Sequence, residues 1–222
     1  MSDNWDDYAE EWDKNIDAIS YSEKAYGSLI KEINIEGKTI LDFGCGTGLL
    51  TERLSPLASS IVAIDTSTEM IAVLRSKELP NVTSLSEPLT SELIKNNSAF
   101  DNKFNIIVAS SVFSFLTNYD SILKLLKSLL VTDGLLIQWD WLTPDSNSAL
   151  GLSETTIKQS LSNAGFKKVV LTKPFSLTAE KGNMPVVMGV AKNAIQALQL
   201  IHKSGAPIVA PLLFSTELNR YV

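Results

Sequence analysis

The sequence predicts an α/β fold: one doubly wound, mostly parallel, seven-stranded sheet with an antiparallel C-terminal hairpin and an N-terminal helical lid. Three observations carry this expectation. Short apolar runs alternate with longer amphipathic ones from residue 39 onward, which is the pattern of βαβ units. The apolar character of 61–64 and 106–109 is continuous, as suits strands covered on both faces. The last two β-rich runs, 167–177 and 184–192, are joined by a short loop containing Gly182, so they form a hairpin with one member antiparallel near the sheet edge.

The elements follow in order. Residues 1–35 read as helical, 39–45 as the first strand, and 47–54 as a helix stopped near Pro56. Residues 60–65 are the second strand, followed by a helix over 67–75 with Ser67 and Thr68 as cap candidates. The third and fourth strands fall at 81–85 and 104–111. Apolar positions 122, 123, 125, 126, 129 and 130 have helical spacing over 119–131, and Asp133-Gly134 is expected to end that helix. Residues 135–141 are the fifth strand, and a helix over 153–164 closes at Gly165. Residues 194–203 read as helical, and the apolar, two-proline stretch that follows has no assigned place. The expected organisation is a lid over 1–35, a main domain over 36–193, and an extension of the same domain over 194–222.

Composition narrows the function. The 222 residues, 45% of them apolar, suit one domain with a full core. No run of about 18 apolar residues occurs, and the acidic N-terminus is the opposite of a signal peptide. Cys45 is the one cysteine, which excludes an internal disulfide and fits a cytoplasmic location. One Cys and one His, His202, far apart in sequence, make a metal site unexpected. A net charge of −6 argues against nucleic acid as partner.

The chemistry concentrates in LDFGCGTGLL, residues 41–50. Glycines at 44, 46 and 48 weaken any helix or strand, and a ligand is the usual compensation. A glycine turn after the first strand lies at the carboxyl ends of the strands, where open α/β sheets bind ligands. Its spacing is neither G-x-G-x-x-G nor G-x-x-x-x-G-K-[ST]. What stands here is Asp42-x-Gly44-x-Gly46-x-Gly48.

That loop resembles motif I of the class I, Rossmann-like, S-adenosylmethionine-dependent methyltransferases, and the resemblance runs in order over about 38–142. Asp65 ends the second strand, where the family has an acid bonding both ribose hydroxyls; a carboxylate suits a cis-diol. Thr66 to Met70 resembles the family's D-x-S-x-x-M segment, with Met70 against adenine. Phe104-Asn105 resembles F-D-x-I-x, with Asn105 in place of the acid, and Thr132-Asp133-Gly134 resembles P-G-G. The resemblance implies cofactor contacts from Asp42, Phe43, Gly44, Cys45, Gly46, Thr47, Gly48, Asp65, Thr66, Met70 and Ser110, with Glu87 or Ser86 against adenine. Asp42 would orient the loop or meet the methionine amino group through water. Cys45 is read as a space-filler, and His202 as a surface residue.

The opening at 7–13 resembles the family's Y-A-x-x-Y/W-D. Tyr8 and Trp12 are four apart, hence on one helix face. Trp139 and Trp141 share a side of strand five. Each pair is either packing or a wall of the cleft; a wall would suit an aromatic or apolar acceptor and a sulfonium. No catalytic residue is assigned, since in-line displacement rests largely on placement. Asp140, Glu11 and Asp13 are base candidates by position, and Tyr8 a positioner. Without N/D/S-P-P-Y/F/W after strand four the resemblance to adenine or glutamine amino-methyltransferases fails, and without Pro-Cys a covalent cysteine mechanism on cytosine or uracil is disfavoured. The implied reaction is methyl transfer to an O, N or C atom of a small molecule, by a monomer or homodimer that touches no membrane. The alternatives are a cofactor-binding sensor or scaffold, a methyltransferase of protein side chains, and, disfavoured by spacing, a nicotinamide oxidoreductase.

Overall fold

The computed structural model describes residues 5–144, 151–179 and 182–194. Elements run in the order α1 (Ala9–Trp12), α2 (Ile16–Glu32), β1 (Thr39–Phe43), α3 (Leu49–Leu54), β2 (Ser60–Asp65), α4 (Thr68–Ser76) and β3 (Val82–Ser86). There follow α5 (Ser91–Asn96), β4 (Phe104–Ser110), α6 (Tyr119–Leu129), β5 (Leu130–Trp141), α7 (Glu154–Asn163), β6 (Lys167–Ala179) and β7 (Gly182–Lys192). The sheet order is β3-β2-β1-β4-β5-β7-β6. Strands β1 to β5 pair in parallel, and β7 lies antiparallel between β5 and β6. The doubly wound sheet and its hairpin are therefore as the sequence indicates.

Alternation decides which helices cover which face. Ile40, Ile61, Ile106, Ile137 and Trp139 pack under α2 and α3 with Ala25, Leu29 and Leu54. Ala63 continues that face toward Ile71 and Leu74 of α4. Leu41, Val62, Ile107 and Leu136 point the other way, onto Leu93, Leu123, Leu126 and Leu161 of α5, α6 and α7. The chain changes faces between β3 and β4, so β1 and β4 flank the switch in strand order, where a crevice opens.

Three elements depart from expectation. Helix α6 ends at Leu129, and β5 begins at once. Asp133-Gly134 then lies inside the strand, where the pairing shifts between Phe104 and Ile106 and Asp133 takes φ 63°. A left-handed Asp beside glycine serves a strand kink as readily as a helix stop. Helix α5 carries few apolar residues and shows no periodicity; its signal is Thr90, whose side chain caps the amide of Leu93. The described part of the 1–35 region is a 3-10 turn over Trp5–Tyr8 and two helices broken at 13–15, with Asn15 capping the second. The helix expected over 194–203, with His202, and the two-proline stretch after it lie outside the described residues, which end at Ala194. Among the described residues no helix is long and apolar enough to cross a membrane, and no group of His, Cys, Asp and Glu is arranged to hold a metal ion.

Candidate active site

The loop after β1 bends through three left-handed glycines, with φ 70°, 54° and 82° at Gly44, Gly46 and Gly48. Two of them are also forced by packing. A Cβ on Gly44 would sit 2.4 Å from Val112 Cγ2, and one on Gly48 2.3 Å from Leu74 Cδ1. Gly46 differs: its nearest neighbour would be Met70 Sδ at 3.9 Å. Space is left over Gly46, so its lack of a side chain is not explained by protein packing.

Asp65 holds the loop from the next strand. Its Oδ2 accepts the Gly46 N–H at 2.9 Å and its Oδ1 accepts the Ser67 N–H at 2.9 Å. Each oxygen keeps a lone pair for another donor. Ser67 caps α4 through the Met70 amide at 3.1 Å, and Met70 is buried beneath the glycine loop. Thr66 and Glu87 are exposed, and Ser86 lies 3.0 Å from Thr68 by their hydroxyls. Ser110 is half-buried at the end of β4, and Phe43 stacks on Phe113 at 5.9 Å.

Asp42 is buried and accepts Thr51 Oγ1 at 2.6 Å. Burial, opposed by that hydrogen bond, pushes its carboxyl up to about 7. Asp140 is equally buried; burial outweighs hydrogen bonds from Ser114 and Gln138 and pushes it to about 7 as well. Among the described residues no ion pair reaches Asp42, Asp65 or Asp140. Burying acids without a cation is costly. A cationic ligand at these strand ends would offset that cost. Burial also pushes the Cys45 thiol well up, which removes it as a nucleophile.

The N-terminal segment spans these parts. Asp6 Oδ1 accepts Ser67 Oγ at 2.5 Å and the Glu69 amide at 3.2 Å. Asp13 accepts Thr47 Oγ1 at 2.5 Å and pairs with Lys77 at 2.8 Å. Trp5 is the aromatic hub, with ring centroids 6.0 Å from Tyr8, 5.9 Å from Trp12 and 5.2 Å from Phe115. Tyr8 ends a 3-10 turn while Trp12 ends α1, so the two meet through Trp5 and not along one helix face. Glu11 faces solvent with Lys14 at 2.8 Å.

Trp139 requires correction as a wall of the cleft. Trp139 is fully buried and donates its indole N–H to Ser28 Oγ at 2.9 Å, inside the core under α2. Trp141 is half-buried and meets Tyr21 edge-on at 5.2 Å. Alternation turns both toward a helix, and it is Asp140 between them that faces the other way. Sequence reasoning missed Tyr21, Ser111 and Ser114; the available signal was the Ser110-Ser111 pair where β4 ends. A separate hollow of about 350 Å³, bounded in part by Ile30, Ile33, Ile35 and Leu57, lies where β1 begins, at the end of the sheet away from this site.

Residues 41–136 match the model of a family described as a methyltransferase domain. The chain is 34% identical over 115 residues to a malonyl-[acyl-carrier protein] O-methyltransferase of Bacillus cereus, covering 50% of this chain and 40% of that protein. It is 32% identical over 103 residues to a ubiquinone biosynthesis O-methyltransferase of Glaesserella parasuis, covering 45% and 44%. The matched stretch thus spans less than half of each relative. In fold it is similar to the N-methyltransferase NodS of Bradyrhizobium japonicum solved with S-adenosyl-L-homocysteine, with a TM-score of 0.65, 16% identity, and 86% and 99% of the two chains covered.

Proposed function

We propose that this chain, whose residues 41–136 match the model of a methyltransferase domain, is a class I S-adenosylmethionine-dependent methyltransferase that moves a methyl group from that cofactor to an atom of a small molecule by in-line displacement. One observation carries the reading: two carboxylates without a cationic partner among the described residues, Asp42 and Asp65, flank a left-handed glycine loop that leaves space above Gly46. A ligand with a sulfonium, an ammonium and a cis-diol answers that arrangement. The two O-methyltransferase relatives favour oxygen as the acceptor atom.

In this reading the free lone pairs of Asp65 take the ribose hydroxyls, and Met70 lies under the nucleoside. Gly44 to Gly48 line the methionine tail, with Asp42 fixed behind them by Thr51. Ser86 or Glu87 meets adenine, and Thr66 and Ser110 border the cleft. Tyr8, Trp12 and Trp5 roof it. The bound cofactor supplies an electrophilic methyl group with a good leaving group, so the chain's task is to hold acceptor and methyl in line and to exclude water.

Calorimetry with S-adenosylhomocysteine tests the reading. Asp65→Ala should weaken binding by about 1–3 kcal/mol. Unchanged affinity would refute the ribose role, and no binding to the wild-type chain would refute the function. Labelled S-adenosylmethionine with candidate acceptors then separates an enzyme, which yields methylated product, from a sensor that only binds.

A further inference from the structure

One corner of the sheet has no cover among the described residues. Residues paired across neighbouring strands share a face. The rows Trp139–Met188–Thr172 and Ile137–Val190–Val170 therefore run over β5, β7 and β6 on the side that α2 packs against. Helix α2 crosses that side obliquely. Its Tyr21 meets Phe175 edge-on at 5.5 Å, its Ser28 hydroxyl reaches Met188 Sδ at 3.5 Å, and its Leu29 shares a core with Ile40 of β1. The part of β7 and β6 beyond Met188 lies outside its reach. Val190 is only half-buried there, Thr172 is exposed, and Val170 is 55% exposed. On the opposite side Val169 and Leu171 pack into the core that holds Leu161 of α7. Strands that are apolar on both sides call for cover on both.

The chain leaves the described residues at this corner. Asn193 follows β7 and is pinned to β5. Its N–H donates to the Gly134 carbonyl at 2.8 Å, its own carbonyl accepts the Asp133 N–H at 2.7 Å, and its Nδ2 donates to the Val131 carbonyl at 3.0 Å. The exit is thus fixed two residues past Val190 and its neighbour Ala191. Over 194–203, Ala194, Ala197, Leu198 and Ile201 recur at helical spacing, while Gln196, Gln199 and Lys203 gather on the other side. Asn193 is a favoured N-cap residue, and Gly205 with Pro207 beyond it marks a stop. Ten residues of helix are about 15 Å long, against roughly 10 Å across three strands. A second copy of the chain suits the corner less well. A two-fold contact along β6 would bring Lys167 and Lys168 toward their own counterparts.

We propose that residues 194–203 form a helix that turns back along β7 and seats Leu198 and Ile201 on Val170 and Val190. The occupant of the open corner is then the chain's own C-terminal extension, and the docking is independent of methyl-transfer chemistry.

Disulfide trapping in the full chain tests this. Cys45, the one native cysteine, has its thiol pushed well up by burial and does not compete. Under mild oxidation of dilute protein, Val170→Cys with Leu198→Cys links within one chain at least about tenfold faster than Val170→Cys with Gln199→Cys, whose position 199 is on the polar side. Hydrogen exchange reads the wild type directly. Amides 198–203 exchange about 100-fold more slowly than a free chain, and Val170→Lys, a change at an exposed site, removes most of that protection while β1 and β4 keep theirs. Equal linking rates for the two pairs, or a link formed between two chains in place of within one, overturns the proposal. So does free-chain exchange over 198–203 in the wild type, or protection there that Val170→Lys leaves intact.

Discussion

Asp42 shows how one residue ties stability to the site. Its folded pKa of about 7 exceeds the ordinary value of about 3.9. Between those values the native state binds more protons than the unfolded chain, so its contribution to stability falls as pH rises from about 4 to 7 and stays low above that. Asp42→Asn keeps an acceptor for Thr51 and removes the charge. It should raise stability at pH 8 by about 2–4 kcal/mol, with little effect near pH 4, while weakening S-adenosylhomocysteine binding. Thermal melts of both proteins across that range read the difference. The glycines separate packing from ligand contact. Gly48→Ala meets Leu74 and should cost about 2–4 kcal/mol in urea unfolding. Gly46→Ala finds open space and should cost about 1 kcal/mol in stability, yet lose ligand affinity out of proportion. Most of this loop was legible in the sequence, because glycine spacing and the two acids Asp42 and Asp65 are local facts. The groups beyond the loop were less so: Tyr21 of α2 and Ser111 after β4 meet only in the fold, Asp140 was marked by position alone, and alternation puts Trp139 and Trp141 on one side without telling which face a helix covers.

At the scale of elements, the N-terminal segment is held by a few polar contacts and one aromatic hub. Asp6 at the start of α4, Asp13 on Thr47 and Lys77, and Trp5 on Phe115 are its attachments. Residues 5–13 contribute one buried hydrophobic, Ala9, so their removal from the body exposes little core. Such segments open at low free energy. Asp13→Ala should speed amide exchange over 5–14 by about tenfold while moving the melting temperature of the whole by less than about 2 °C, and S-adenosylhomocysteine should slow that exchange in the wild type. An equal loss of protection in β1 and β4 would show instead that the segment is part of the global core. The segment's helicity and the cap at Ser67 could be read from sequence, since caps are local chemistry. Helix α5 and the true start of β5 could not, because one lacks an apolar stripe and the other uses Asp133-Gly134 as a kink inside a ladder.

For the molecule as a whole, the sheet places every acid of the site at one end and fastens that end only through the loops it carries. S-adenosylhomocysteine at 100 times its dissociation constant should add about 2.7 kcal/mol and raise the melting temperature by about 5–10 °C, whereas NAD should leave it unchanged. The fold class was plain from alternating runs, and the hairpin from its short loop. Which strand of that hairpin lies inside was not, since both carry apolar residues. Strand β7, the last strand among the described residues, fills the slot between β5 and β6, matching Leu135–Trp141 residue for residue. During synthesis, then, the flank of β5 stays naked until the ribosome has released Lys192. A nascent chain stalled short of Gly182 offers a row of bare amides and carbonyls beside Ile137 and Trp139, and either a chaperone shields that strip or two such chains stitch together along it.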